Sequence, residues 1–181
     1  MYQEDYSGPK TRPFLPAFAR ILLFLPGLSL GVPILVSIVT HSPPPEIVAL
    51  AGTAFLIEYG AVVFGIARGI GFLPTIVVTS SVALAVILTS FELFDLLAER
   101  FGRVEQFLER VKSGRVTGFI GHYGILGLVP GIFVGGFYIC PAVSWIFSWK
   151  RSFSVILMMT GYIVSAVAIY LATTGILKVL F

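Results

Sequence analysis

The chain has 181 residues, 57% hydrophobic and 12% charged, whereas an ordinary soluble domain carries roughly 45–50% apolar and about 25% charged residues. A globule of this size cannot hide so large an apolar share, so its outer surface must face lipid, and a water-soluble fold is excluded. The net charge of +3 is small, and its lysines and arginines gather beside apolar segments, a pattern of membrane topology rather than of a nucleic-acid partner.

In chain order, residues 1–20 read as a flexible polar tail with Pro9, Pro13 and Pro16, ending in a basic anchor of Lys10, Arg12 and Arg20. Residues 21–181 read as a single transmembrane domain. Its first span, 21–39, has the length that crosses a hydrocarbon core of about 30 Å, and Pro26 and Pro33 should bend it. No small-x-small cleavage site follows, so a removed signal peptide is not expected.

Residues 47–97 are mainly apolar but contain Glu58 and Arg68. They suffice for a re-entrant hairpin at 47–70 and a full span at 72–97. Glu92 and Asp95 read as the exit of that span into water. Over 98–115, apolar residues recur at helical spacing among charges, which predicts an amphipathic surface helix or a solvated linker helix.

Residues 116–149 contain no Lys, Arg, Asp or Glu. One straight helix of that length would reach about 51 Å, while two complete passes need roughly 40 residues before any turn. The segment fits neither, and Pro130, Gly131, Gly135, Gly136 and Pro141 interrupt its middle. A second re-entrant hairpin is predicted, with its broken backbone satisfied by a cavity or by protein. A last span covers 153–173.

The basic clusters at 110–115 and at Lys150 and Arg151 flank this hairpin, so both should be cytoplasmic, together with the N-terminus. The expected fold class is therefore an all-α integral membrane protein: an inverted repeat of re-entrant hairpin plus transmembrane helix, after an additional N-terminal transmembrane helix. Glu58-Tyr59-Gly60 is loosely echoed by His122-Tyr123-Gly124 in the second half.

Several stretches carry a family resemblance: Glu58-Tyr59-Gly60-Ala61-Val62-Val63-Phe64-Gly65; Tyr123-Gly124-Ile125-Leu126-Gly127 before Val129-Pro130-Gly131; and Trp145 leading into Lys150-Arg151-Ser152-Phe153. Over residues 58–161 the chain resembles the small multidrug export protein family, related to the DedA-like, or VTT-domain, membrane proteins. Gly60 stands where that family usually has Arg, and Phe64 where it has Pro. The resemblance implies two facing re-entrant hairpins and membership of a superfamily linked to lipid movement between leaflets. Its implied cargo is the carrier lipid undecaprenyl phosphate, with proton coupling.

Glu58 is the leading site candidate, because an ionisable residue at bilayer depth is expensive and usually faces an interior cavity, where a carboxyl can carry protons. Arg68 would pair with it or hold an anionic head group, with snorkelling to the interface as the competing role. Tyr59, Gly60, Pro130, Gly131, Gly135, Gly136 and Pro141 would line the cavity. Trp145 and Trp149 read as interfacial belt residues, and Cys140 as a packing residue.

No nucleophile–base–acid cluster, metal-ligand spacing or nucleotide-binding phosphate loop is visible, so neither an enzyme nor a cofactor or metal is expected. The expected function is a plasma-membrane transporter or flippase-like protein for an amphipathic lipid or small hydrophobic compound. The alternative is a non-transporting membrane protein that stabilises or assists partner membrane proteins. Membrane lipids are the expected surroundings, and self-association into a homo-oligomer stays open.

Overall fold

The computed structural model describes residues 14–100 and 124–180. Most of the surface helix predicted at 98–115 lies outside these residues, as do His122 and Tyr123. The described chain is all-helical, and four of its helical segments are long and apolar enough to cross a membrane: Ala19–Thr40, Phe72–Ala98, Gly124–Ile146 and Arg151–Gly175. Large apolar side chains cover the outside, among them Leu56 at 78% and Val134 at 89% exposure. Such a surface needs a lipid solvent, so the chain is a helical membrane protein.

Helix α1, Phe14–Pro26, begins earlier than the polar tail predicted at 1–20 allows. Pro16 falls in its first turn, where a missing N–H removes no intrahelical bond. Beyond Pro26, the turn Gly27–Gly31 widens to a π-helical pitch before α2, Val32–Thr40. The Ser29 hydroxyl donates to the Leu25 carbonyl across this widening, a local adjustment of the kind by which bilayer helices accommodate proline. His41 ends α2 in the left-handed conformation, its N–H returning to the Ile38 carbonyl.

Helix α3, Pro44–Ile57, opens on prolines, which suit a first turn. It stops at Glu58, and α4, Gly60–Ala67, runs back alongside it. The reversal is visible in the packing. A Cβ on Gly65 would lie 3.4 Å from Leu50, although these residues stand at nearly equal distances on either side of Glu58. Leu50, Ala54, Ala61, Ile70, Val78 and Val82 form one apolar cluster that seats this hairpin on α5, Phe72–Arg100.

After a 3-10 turn at Gly124–Gly127, helix α6, Leu128–Ile146, breaks at Gly136, whose φ of 65° and ψ of −174° are not helical. The chain again turns back: the Cys140 sulfur lies 3.7 Å from a Cβ built on Gly131, whereas nine residues along an intact helix would separate them by about 13 Å. Each arm of this second hairpin is about 12–15 Å long, half the thickness of a hydrocarbon core. Helix α7, Arg151–Leu180, packs closely on it. A Cβ on Gly161 would meet the Val129 carbonyl at 2.5 Å and Ile132 at 2.6 Å, so only glycine lets these backbones approach this far.

Candidate functional site

Glu58 has φ 50° and ψ −107°, a conformation that costs a non-glycine residue about 1–3 kcal/mol unless its surroundings enforce it. The surroundings are the second hairpin. The Glu58 carboxylate accepts the backbone N–H of Phe137, the residue after the other break. It also occupies the space that a Cβ on Gly136 would need. The two places where the chain abandons helix geometry are thus in direct contact, and each supplies what the other lacks. A carboxylate covers an N–H at the start of a helical arm, one of the orphan donors that attract anions.

Two tyrosines complete the joint. The Tyr59 hydroxyl donates to the Ile132 carbonyl at 3.0 Å, and the Tyr138 hydroxyl donates to the Phe55 carbonyl. Each tyrosine lies just past its own break and reaches a carbonyl just before the other one. Aromatic packing follows the same reciprocity: Tyr59 lies 5.9 Å from Phe133 and Tyr138 lies 6.3 Å from Phe55. Phe55 and Phe133 both stand three residues before a break. The contacts therefore pair Glu58 with Gly136, while His122 of the sequence echo lies outside the described residues.

The joint rests on α7 through Tyr162, which is fully buried and stacks on Tyr59 at 5.1 Å. Its hydroxyl faces Thr79 of α5, but Thr79 is committed to the Thr75 carbonyl at 2.9 Å. The Tyr162 hydroxyl consequently has no hydrogen-bond partner among the described residues. Tyr162 is about 17 Å along α7 from Arg151 and about 12 Å from Tyr170. Since Tyr170 meets Phe72 at one end of the bundle and Arg151 meets Glu92 at the other, the joint lies deep between two ends roughly 30 Å apart.

The remaining candidates fall elsewhere. Arg68 is exposed at the end of α4, with its guanidinium 5.5 Å from the Phe64 ring centre, and no ion pair joins it to Glu58 among the described residues. The pairing expected from sequence is corrected by α4 itself, whose eight residues carry Arg68 about 12 Å from the joint. Gly60 is the first helical residue of α4, over Ile57. Gly131 and Gly135 face Cys140 across the second hairpin, so their small size brings its arms together. Pro141 is buried within the second arm, and Pro130 is exposed on the first.

Sequence reasoning missed a charged cluster near the Arg151 end. Glu92, read as an exit into water, is 3% exposed and binds Arg151 at 2.8 Å, with Arg20 at 3.9 Å. Arg151 also lies 3.7 Å from Asp95, whose carboxylate accepts the Trp145 indole N–H at 2.8 Å. The signal available was an acidic pair three residues apart on one helix face, opposite the basic pair Lys150 and Arg151 at the same expected depth. Among the described residues, no group of three His, Cys, Asp or Glu side chains forms a metal site.

Fold and site together define a helical membrane protein with two abutting chain reversals and a carboxylate at their contact. Comparison of the chain with protein-family models, with curated proteins and with solved structures gives no match.

Proposed function

We propose that this protein is a proton-coupled transporter or flippase-like protein of the cell membrane. It moves an amphipathic lipid or small hydrophobic compound along a path that opens between two re-entrant hairpins. The hairpins enter from opposite faces and, each with its following helix, form an inverted repeat of the kind that recurs in transporters with broken helices at mid-membrane. The resemblance to small multidrug export and DedA-like proteins is consistent with this reading, and the positions of Lys150 and Arg151 favour a cytoplasmic second-hairpin base and N-terminus.

The observation that carries the reading is the Glu58 carboxylate seated on the Phe137 N–H at the contact of the two tips. While ionised, Glu58 is a pure acceptor and makes a charge-assisted bond across the joint. On taking up a proton it loses that charge, and the bond falls toward the strength of a neutral one. The tips then separate, and their exposed N–H and C=O groups face the path, where non-helical backbone is tolerated at this depth. Proton occupancy thereby sets whether the joint is shut.

The test uses purified protein in sealed vesicles with a fluorescent phospholipid or a hydrophobic dye. An imposed proton gradient should accelerate movement, and Glu58→Gln should abolish the gradient dependence. Failure of the wild-type protein to move either probe, with or without the gradient, would remove the transport reading and leave the role of a stabilising partner for other membrane proteins.

A further inference from the structure

Resting on that reading, the geometry points to the Arg151 cluster as a gate that closes the path to the joint from the cytoplasmic end, with Arg151 as its latch. The cluster is placed for this. Arg151 opens α7, Glu92 and Asp95 lie on α5, Trp145 is near the base of the second hairpin, and Arg20 belongs to α1, so five side chains draw four elements together at one end of the bundle. Arg151 binds both acids, at 2.8 Å and 3.7 Å, donates to the Leu88 carbonyl at 3.3 Å and lies 5.2 Å from the Phe91 ring centre. Its contacts are thus all on α5, with Leu88 standing 63 residues earlier in the chain.

The second hairpin is tied down at the same level. Trp145 donates to Asp95 at 2.8 Å and packs against Phe94 at 5.7 Å. One residue earlier, Ser144 donates to Ser154 of α7 at 2.7 Å. Cys140, about 7 Å further along the same arm, is buried between the arms, against Gly131 and Gly135. A hairpin base released from α5 would let water and substrate rise along this arm to the joint.

The cluster has the chemistry of a latch rather than of a passive staple. A buried ion pair contributes little net stability, because desolvation offsets much of its attraction, but removing one partner leaves an uncompensated buried charge. Glu92 already has a second cation at hand: Arg20 stands 3.9 Å away, and its side chain is 49% exposed. If Arg151 leaves, Glu92 passes to Arg20 rather than remaining bare, so α7 and the hairpin base can detach from α5 without stranding the carboxylate. An exchange of partners lowers the cost of opening, and the loose Arg20 contact has no evident purpose in a permanently shut bundle.

The protein carries its own probe, since Cys140 is its single cysteine. In oriented vesicles, a membrane-impermeant thiol reagent should label wild-type Cys140 slowly from either face. Arg151→Gln should accelerate labelling at least about tenfold from the cytoplasmic face alone, as expected when a two-state equilibrium loses the contact that favours its closed state. Arg151→Lys, which keeps a cation between Glu92 and Asp95, should label nearly as slowly as wild type, which a loss of folding at this position would not allow. Unchanged labelling in Arg151→Gln, equal acceleration from both faces, or labelling of Arg151→Lys as fast as that of Arg151→Gln would overturn the gate. This readout needs no transport, so a wild-type protein that moves neither lipid nor dye would sink the transport reading while the labelling result stood.

Discussion

Glu58 is an odd choice for a reversal, because its positive φ suits glycine far better than glutamate. The structure keeps glutamate there, and the carboxylate supplies the only evident gain. Two substitutions separate the costs. Glu58→Gln retains the strained backbone and weakens the bond to Phe137, whereas Glu58→Gly relieves strain of about 1–3 kcal/mol at an entropic cost of about 0.5–1 kcal/mol. The bond that Gln keeps and Gly lacks offsets about 0.5–1.5 kcal/mol of that relief, so the two should unfold within about 1 kcal/mol of each other in detergent, while both lose gradient-driven transport. A Glu58→Gly protein less stable than Glu58→Gln by more than about 2 kcal/mol would show that the backbone conformation is not strained. Gly136 presents the converse case. Its φ/ψ combination is essentially confined to glycine, and a side chain would strike the Glu58 carboxylate. Gly136→Ala should cost about 2 kcal/mol or more of stability and displace Glu58, detectable as lost gradient dependence in whatever protein still folds.

At the scale of elements, the two hairpins hold each other through a crossed pair of hydroxyl bonds. Tyr59→Phe leaves the Ile132 carbonyl unpartnered, and Tyr138→Phe does the same to Phe55. Tyr59→Phe, which removes a part-buried bond, should cost about 1–2 kcal/mol, and Tyr138→Phe, whose bond to Phe55 is exposed, about 0.5–1 kcal/mol. Because both bonds close one joint, the double variant should fall short of additivity by at least about 0.5 kcal/mol. Strict additivity in unfolding measurements would mean that the tips are held independently. These hairpins were only partly legible in the sequence. The uncharged stretch 116–149 was too long for one helix and too short for two passes, so a reversal followed from length alone. Which residue turns the chain did not follow. Five Gly and Pro positions competed, and only Gly136 adopts a conformation closed to other residues, while Pro141 sits inside a helical arm. The interlock had no local signal at all, because Tyr59 and Ile132 are 73 residues apart and Tyr138 and Phe55 are 83 apart. Glu92 misled for the same reason: an acid near the end of an apolar helix reads as solvated until its distant arginine is in view.

At the scale of the molecule, the proposed transport ties sidedness to function: if the two hairpins enter from opposite faces, opening one hairpin base would expose the joint to one side. Ser42 lies between α2 and α3, near the base of the first hairpin. Ser152 is the second residue of α7, beside the base of the second. With Cys140→Ser as background, single cysteines at these two positions should react with impermeant reagents from opposite faces of oriented vesicles. A third probe at Ser113, preceding the second hairpin, should react from the same face as Ser152, since a segment that turns back at Gly136 begins and ends on one side. Labelling at 113 and 152 from opposite faces would mean that the chain crosses between them. The Gly136 break would then be a kink in a complete span, and the Glu58 joint would lack the second mobile arm that its opening requires.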